Sequence, residues 1–174
     1  MKKHLITFFI GLAFSVASFA QAPLETGQVQ LNAGFGLSGW GVPIYAGAEF
    51  GVADNITAGG DISFRQYNEG WWKYDYTHTI ITISGYGNYH FNELLEIPSY
   101  LDFYAGLSLG YSIWNTKYKG PGPEYTYNGN LGSGLYLYLQ AGGRYFFTER
   151  FAANLQLGAG STAGARLGIT YIIK

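Results

Sequence analysis

The chain has 174 residues, of which 12% are charged and 18% aromatic, with 26 glycines and 16 tyrosines. An ordinary soluble domain is about 25% charged, and a disordered chain lacks the aromatics, so neither class fits. A net charge of -1 argues against a nucleic-acid partner, and the absence of cysteine excludes disulfides, thiolate metal sites and a cysteine nucleophile.

The chain opens as a targeting segment. Met1-Lys2-Lys3-His4 is basic, residues 5–14 are apolar, and Ser18-Phe19-Ala20 has the small-x-small form of a cleavage site. We expect a signal peptide over 1–20 and one domain over 21–174. The apolar run is too short for a spanning helix, which needs about 20 residues, and no later run is long enough.

After a short polar lead at 21–27, the apolar residues recur with a period of two. The spacing predicts strand one over 28–37 (Val29, Leu31, Ala33, Phe35, Leu37) and strand two over 42–52 (Val42, Ile44, Ala46, Ala48, Phe50). A tight turn at Ala53-Asp54 leads to strand three over 55–65. Residues 66–77, QYNEGWWKYDYT, read as a long polar-aromatic loop before strand four over 78–91. A short connector at 92–99 leads to strand five, 100–114, where Leu101, Phe103, Ala105, Leu107, Leu109, Tyr111 and Ile113 alternate with small or polar residues. Residues 115–133, rich in Gly, Pro and Asn, read as a second long loop. Strands six (134–147), seven (150–159) and eight (164–173) follow, joined by turns.

Eight hairpin-connected strands with no room for crossover helices predict an all-β, eight-stranded antiparallel up-and-down barrel. Closure removes the exposed edges that an open sheet would leave. No greasy position carries a charge, while the strand charges Glu49, Asp61, Arg65, Asp102, Arg144 and Arg166 all fall on the other face. Three acids and three bases would share the lumen and pair there, as a plugged interior requires. The apolar face is too large for a soluble monomer, so the solvent outside is read as lipid. With the N-terminus on the periplasmic side, both long loops face outward, as transmembrane barrels have them. Outward aromatics would form one girdle at the periplasmic strand ends (Phe50, Tyr89, Phe91, Phe103, Tyr145, Phe147, Phe151, Tyr171). A second girdle would comprise Phe35, Phe64, Tyr111 and Trp114.

The signal segment, the alternating strands, YLDFYAGLSLGYS after a short inside turn, the RYFFTERFAANLQLG hairpin and the closing ARLGITYIIK resemble the small outer-membrane β-barrels of the OmpA/OmpX type. The glycine- and tyrosine-rich style is similar to the porin-family barrel domains of Gram-negative bacteria. The resemblance implies an integral outer-membrane protein in contact with lipid and lipopolysaccharide.

Candidates for chemistry are few. His78 has Asp75 and Ser84 near it in sequence, but six strand residues put His78 and Ser84 roughly 20 Å apart. His90 points inward and reads as a lumen hydrogen-bond partner rather than a metal ligand. Neither Gly34-Phe35-Gly36 nor Gly158-Ala159-Gly160 precedes a helix, so neither is a phosphate loop. No catalytic, metal or cofactor site is implied. The expected role is non-enzymatic, structural for the envelope or adhesive through the two loops. Trp71, Trp72, Tyr74, Tyr76, Tyr118, Tyr125 and Tyr127 are candidates to bind an extracellular protein or glycan. A monomer with no nucleic-acid partner is expected. The alternatives are a lipid-modifying enzyme, a narrow pore and, with the faces reversed, a soluble lipocalin-like carrier.

Overall fold

The structure, a computed structural model, describes residues 24–71, 74–119, 132–162 and 164–173. The expected signal peptide over 1–20 lies outside them. The period of two becomes eight strands: β1 (Val29–Ser38), β2 (Ile44–Ala53), β3 (Ile56–Trp71), β4 (Tyr74–His90), β5 (Leu101–Tyr118), β6 (Gly134–Phe146), β7 (Phe151–Gly160) and β8 (Gly164–Ile173). Each pairs antiparallel with the next, and β1 closes on β8 from Val29↔Ile173 to Ser38↔Gly164. The result is a closed eight-stranded barrel. One end carries the start of β1, the end of β8 and the β2–β3, β4–β5 and β6–β7 connections. The other, here the loop end, carries the β1–β2, β3–β4, β5–β6 and β7–β8 connections.

The expected loop at 66–77 is strand at 66–71 and 74–77, and the second expected loop, 115–133, is strand at 115–118. β3 and β4 stay paired from Ile56↔Tyr89 to Trp71↔Tyr74, and β5 follows β4 up to Tyr76↔Tyr118. β3, β4 and β5 have 16, 17 and 18 residues, against 10 in β1, β2, β7 and β8. A ribbon therefore overhangs the loop end. Apolar alternation stops at Phe64, Ile81 and Ile113, although backbone pairing does not. The β2–β3 turn sits one residue later than expected, at Asp54-Asn55, with Asn55 at φ 60°. Asn is among the side chains that tolerate that conformation.

The outer wall is apolar: Ile62, Ile83, Leu109, Leu137, Leu139 and Ile169 are all exposed. The rings of Phe50, Tyr89, Phe103, Tyr145, Phe147 and Phe151 stand exposed around the terminal end. Trp114 departs from the expected outer girdle. It has the inward register of Ser108 and Ser112, and its ring meets Trp40 edge to face at 5.3 Å over the mouth.

The lumen is filled by polar groups and tyrosines. Tyr104 and Tyr86 lie over Gly142 and Gly59, their register partners on neighbouring strands, where an added Cβ would sit 2.5 and 2.7 Å from the rings. The richness in both residue types thus has one cause: a small barrel holds large inward rings only where the opposing residue has no side chain. The lead at 21–27 is not merely polar. Leu24 is buried with Phe146, Ala152 and Ile172, with Tyr100 against them, and forms an apolar stopper at the terminal end.

Candidate functional site

The sheet brings the six lumen charges together unevenly. Glu49 on β2 reaches across to Arg144 on β6, Nη2 to Oε2 at 2.6 Å. Asp102, the register partner of Arg144, takes Nη1 at 2.8 Å. His90 Nδ1 lies 2.7 Å from Asp102, and its Nε2 lies 2.9 Å from Thr57 Oγ1, which in turn donates to Glu49. Gln30, Asn32 and Asn88 donate amide hydrogens to Glu49 at 2.6–3.2 Å. A second cluster joins Arg166 Nη1 to Asp61 at 2.5 Å, with Ser84 donating to the same carboxylate. The three acids and three bases do not pair one to one, because Arg144 takes two acids and Arg65 takes none. Arg65 Nη1 donates to Ser38 Oγ at 3.2 Å. The void in this polar layer is about 20 Å³, room for about one water.

The enzyme candidates separate. Ser84 is committed to Asp61 in the lumen, whereas His78 sits on the overhanging ribbon, stacked on Tyr67 with ring centroids 4.7 Å apart. The ribbon surrounds His78 with two residues that sequence spacing did not suggest: Thr116 Oγ1 at 2.9 Å from Nδ1 and Glu69 at 3.4 Å from Nε2. They stand 38 and 9 residues from His78 in the chain, so only the long β3–β4–β5 pairing reveals them. His78 is fully buried, held between rings, hydroxyl and carboxylate.

Of the aromatic loop candidates, Tyr76 and Tyr118 are register partners with centroids 5.5 Å apart, and Tyr76 stacks on His78 at 6.4 Å. Trp71 and Tyr74 are register partners in the last β3–β4 pair. Trp72, Tyr125 and Tyr127 lie outside the described residues. Tyr67, Tyr76, His78 and Tyr118 continue the inward register of the barrel, while Gln66, Asn68, Thr79, Asn115 and Lys117 continue the outward one. Above the row Phe64–Ile81–Ile113 the faces therefore exchange character: aromatic within, polar without.

The sequence matches no protein-family model and no curated relative. In shape, the chain is similar to Ail, the attachment invasion locus protein of Yersinia pestis, with TM-score 0.55 and 13% identity over 85% of this chain and 99% of that one. A second structure of Ail is a complex with the heparin analogue sucrose octasulfate. The N-terminal β-barrel domain of Pseudomonas aeruginosa OprF matches with TM-score 0.54 and 14% identity, over 85% of this chain and 98% of that one. A de novo designed transmembrane β-barrel matches at 0.52 and 15%, over 86% and 98%. A shared fold does not by itself imply a shared activity. The chain has the fold of the small eight-stranded outer-membrane β-barrels of the OmpA/OmpX type.

Proposed function

We propose that the protein is a non-enzymatic, integral outer-membrane β-barrel of a Gram-negative bacterium, exported through cleavage near Ala20. It contributes to the envelope and presents a binding surface on the overhanging ribbon. The observation that carries this reading is the exchange of faces above Phe64–Ile81–Ile113. Below that row the exterior is apolar, and above it the exterior is Gln66–Thr79–Asn115. One solvent cannot favour both, whereas lipid below and water above favours each.

The loop end then faces the cell exterior, and the aromatic inner face of the ribbon offers Tyr67, Tyr76 and Tyr118 to a protein or glycan. The heparin analogue bound to Ail supports a glycan as one such partner. The filled polar layer of the lumen favours a plug over a narrow pore.

Two measurements test the reading. In the outer-membrane fraction, the protein should migrate differently on a gel with and without boiling, as closed membrane barrels do. Recovery in the soluble periplasm would overturn the inside-outside assignment. Cells displaying the protein should adhere to glycan- or protein-coated surfaces, and shortening the ribbon by replacing 68–77 with a tight turn should abolish adhesion without loss of the gel shift. Unchanged adhesion would remove the ribbon from the reading.

A further inference from the structure

Arg65 differs from the other buried cations. It is 4% exposed, yet among the described residues no carboxylate lies within ion-pair distance of it. The ionisable groups around it are the phenols of Tyr67, Tyr136 and Tyr138 and a second cation, Arg166, already committed to Asp61. Its hydrogen bond to Ser38 is to a neutral hydroxyl. A buried cation without counter-charge is costly, so a position of this kind attracts an anion.

The surroundings leave room for one. Arg65 lines two adjoining cavities at the loop end, of about 190 and 300 Å³, which share Trp40 and Ser161. Thr82, Ser112 and Trp114 are among the residues that line the smaller one. Pockets for drug-sized ligands span roughly 300–1,000 Å³, so cavities at or below the small end of that range suit a single small ring. Planar guanidinium geometry matches carboxylate, sulfate and phosphate oxygens in pairs. The hydroxyls would take the polar edge of such a ligand, and the indoles its apolar face.

We propose that this cavity binds one anionic sugar residue, its charged group on Arg65 and its ring against Trp40 and Trp114. The proposal deepens the surface-binding reading and rests on it only for the side from which the ligand arrives. Calorimetry on the purified full barrel in non-ionic detergent tests it with glucose 6-sulfate, glucose 6-phosphate and glucuronate, against glucose and inorganic sulfate. At least one charged sugar should bind about tenfold or more tighter than glucose and tighter than sulfate, in keeping with a charge-assisted hydrogen bond. Preference for the phosphate ester would point to a lipopolysaccharide headgroup, and preference for sulfate or carboxylate to a glycan from outside. Arg65→Gln should erase the difference while the gel shift persists, and Arg65→Lys should keep part of it. Trp40→Ala, at the exposed rim, should weaken sugar binding without changing sulfate binding, and it decides the matter if Arg65→Gln does not fold. Equal binding of charged and neutral sugars, sulfate binding as tightly as the sugars, or indifference to Trp40→Ala would each overturn the proposal. None of these outcomes alters the adhesion assay, so the two readings fail separately.

Discussion

Replacing Arg144 with methionine tests the polar layer most directly. The change strips the cation from two buried carboxylates at once, Glu49 at 2.6 Å and Asp102 at 2.8 Å. Removing one partner of a buried ion pair costs about 3–5 kcal/mol. The remaining contacts soften the loss: Glu49 keeps Gln30, Asn32, Thr57 and Asn88, and Asp102 keeps His90. The lower end, about 3 kcal/mol, is therefore expected. Urea unfolding in lipid vesicles, followed by tryptophan fluorescence and by the gel shift, measures it. Adding Glu49→Gln removes one of the two orphaned charges, so the double variant should be less destabilised than the sum of the singles by about 1–3 kcal/mol. Arg166→Met, whose partner Asp61 belongs to the other cluster, should couple to Arg144→Met less than Glu49→Gln does. A loss below about 1 kcal/mol for Arg144→Met, or additivity with Glu49→Gln, would refute a cross-lumen ion cluster as a stabilising element.

Three further outcomes follow from the geometry. Ile83→Arg, mid-wall, should cost about 2–4 kcal/mol in vesicle unfolding, while Gln66→Arg, on the same outward face above Phe64, should cost less than about 1 kcal/mol; equal costs would refute the placement of the lipid boundary. Gly142→Ala puts a Cβ 2.5 Å from the Tyr104 ring and 2.8 Å from the Leu155 carbonyl, an overpacking worth about 1–3 kcal/mol that Tyr104→Phe should not relieve and Tyr104→Leu should relieve only in part, because the carbonyl contact stays. Leu24→Ala should lower stability by about 2–3 kcal/mol and speed hydrogen exchange at Phe146 and Ile172, the residues it covers; unchanged exchange there would show that the N-terminal stopper is not seated.

The strand count, the antiparallel meander and the inward or outward direction of almost every strand residue could be read from the sequence alone. Backbone geometry forces side chains to alternate, and a single-solvent exterior turns that alternation into composition. Leu107, Leu109 and Tyr111 against Ser108 and Gly110 already state which face is outward. The same logic explains the misreading at 66–77. The pattern reports the solvent rather than the hydrogen bonds. Where Gln66 and Asn115 rise above the apolar rows the pattern vanishes, as the proposed change from lipid to water requires, although the ladder continues to Trp71↔Tyr74. Trp114 was misplaced for the related reason that an aromatic near a strand end suits either face, and only its register decides.

Who pairs with whom needed the closed barrel. Glu49 and Arg144 stand 95 residues apart, and Asp61 and Arg166 stand 105 apart. Their meeting depends on curvature and stagger that bring chosen rows of different strands to one height. The same closure left Arg65 beside Ser38 rather than beside an acid, set His78 between Thr116 and Glu69, and drew Leu24 under Phe146. Alternation is a local property, fixed by each residue's own backbone. Pairing across a lumen is a property of the whole ring of strands, and no local pattern contains it.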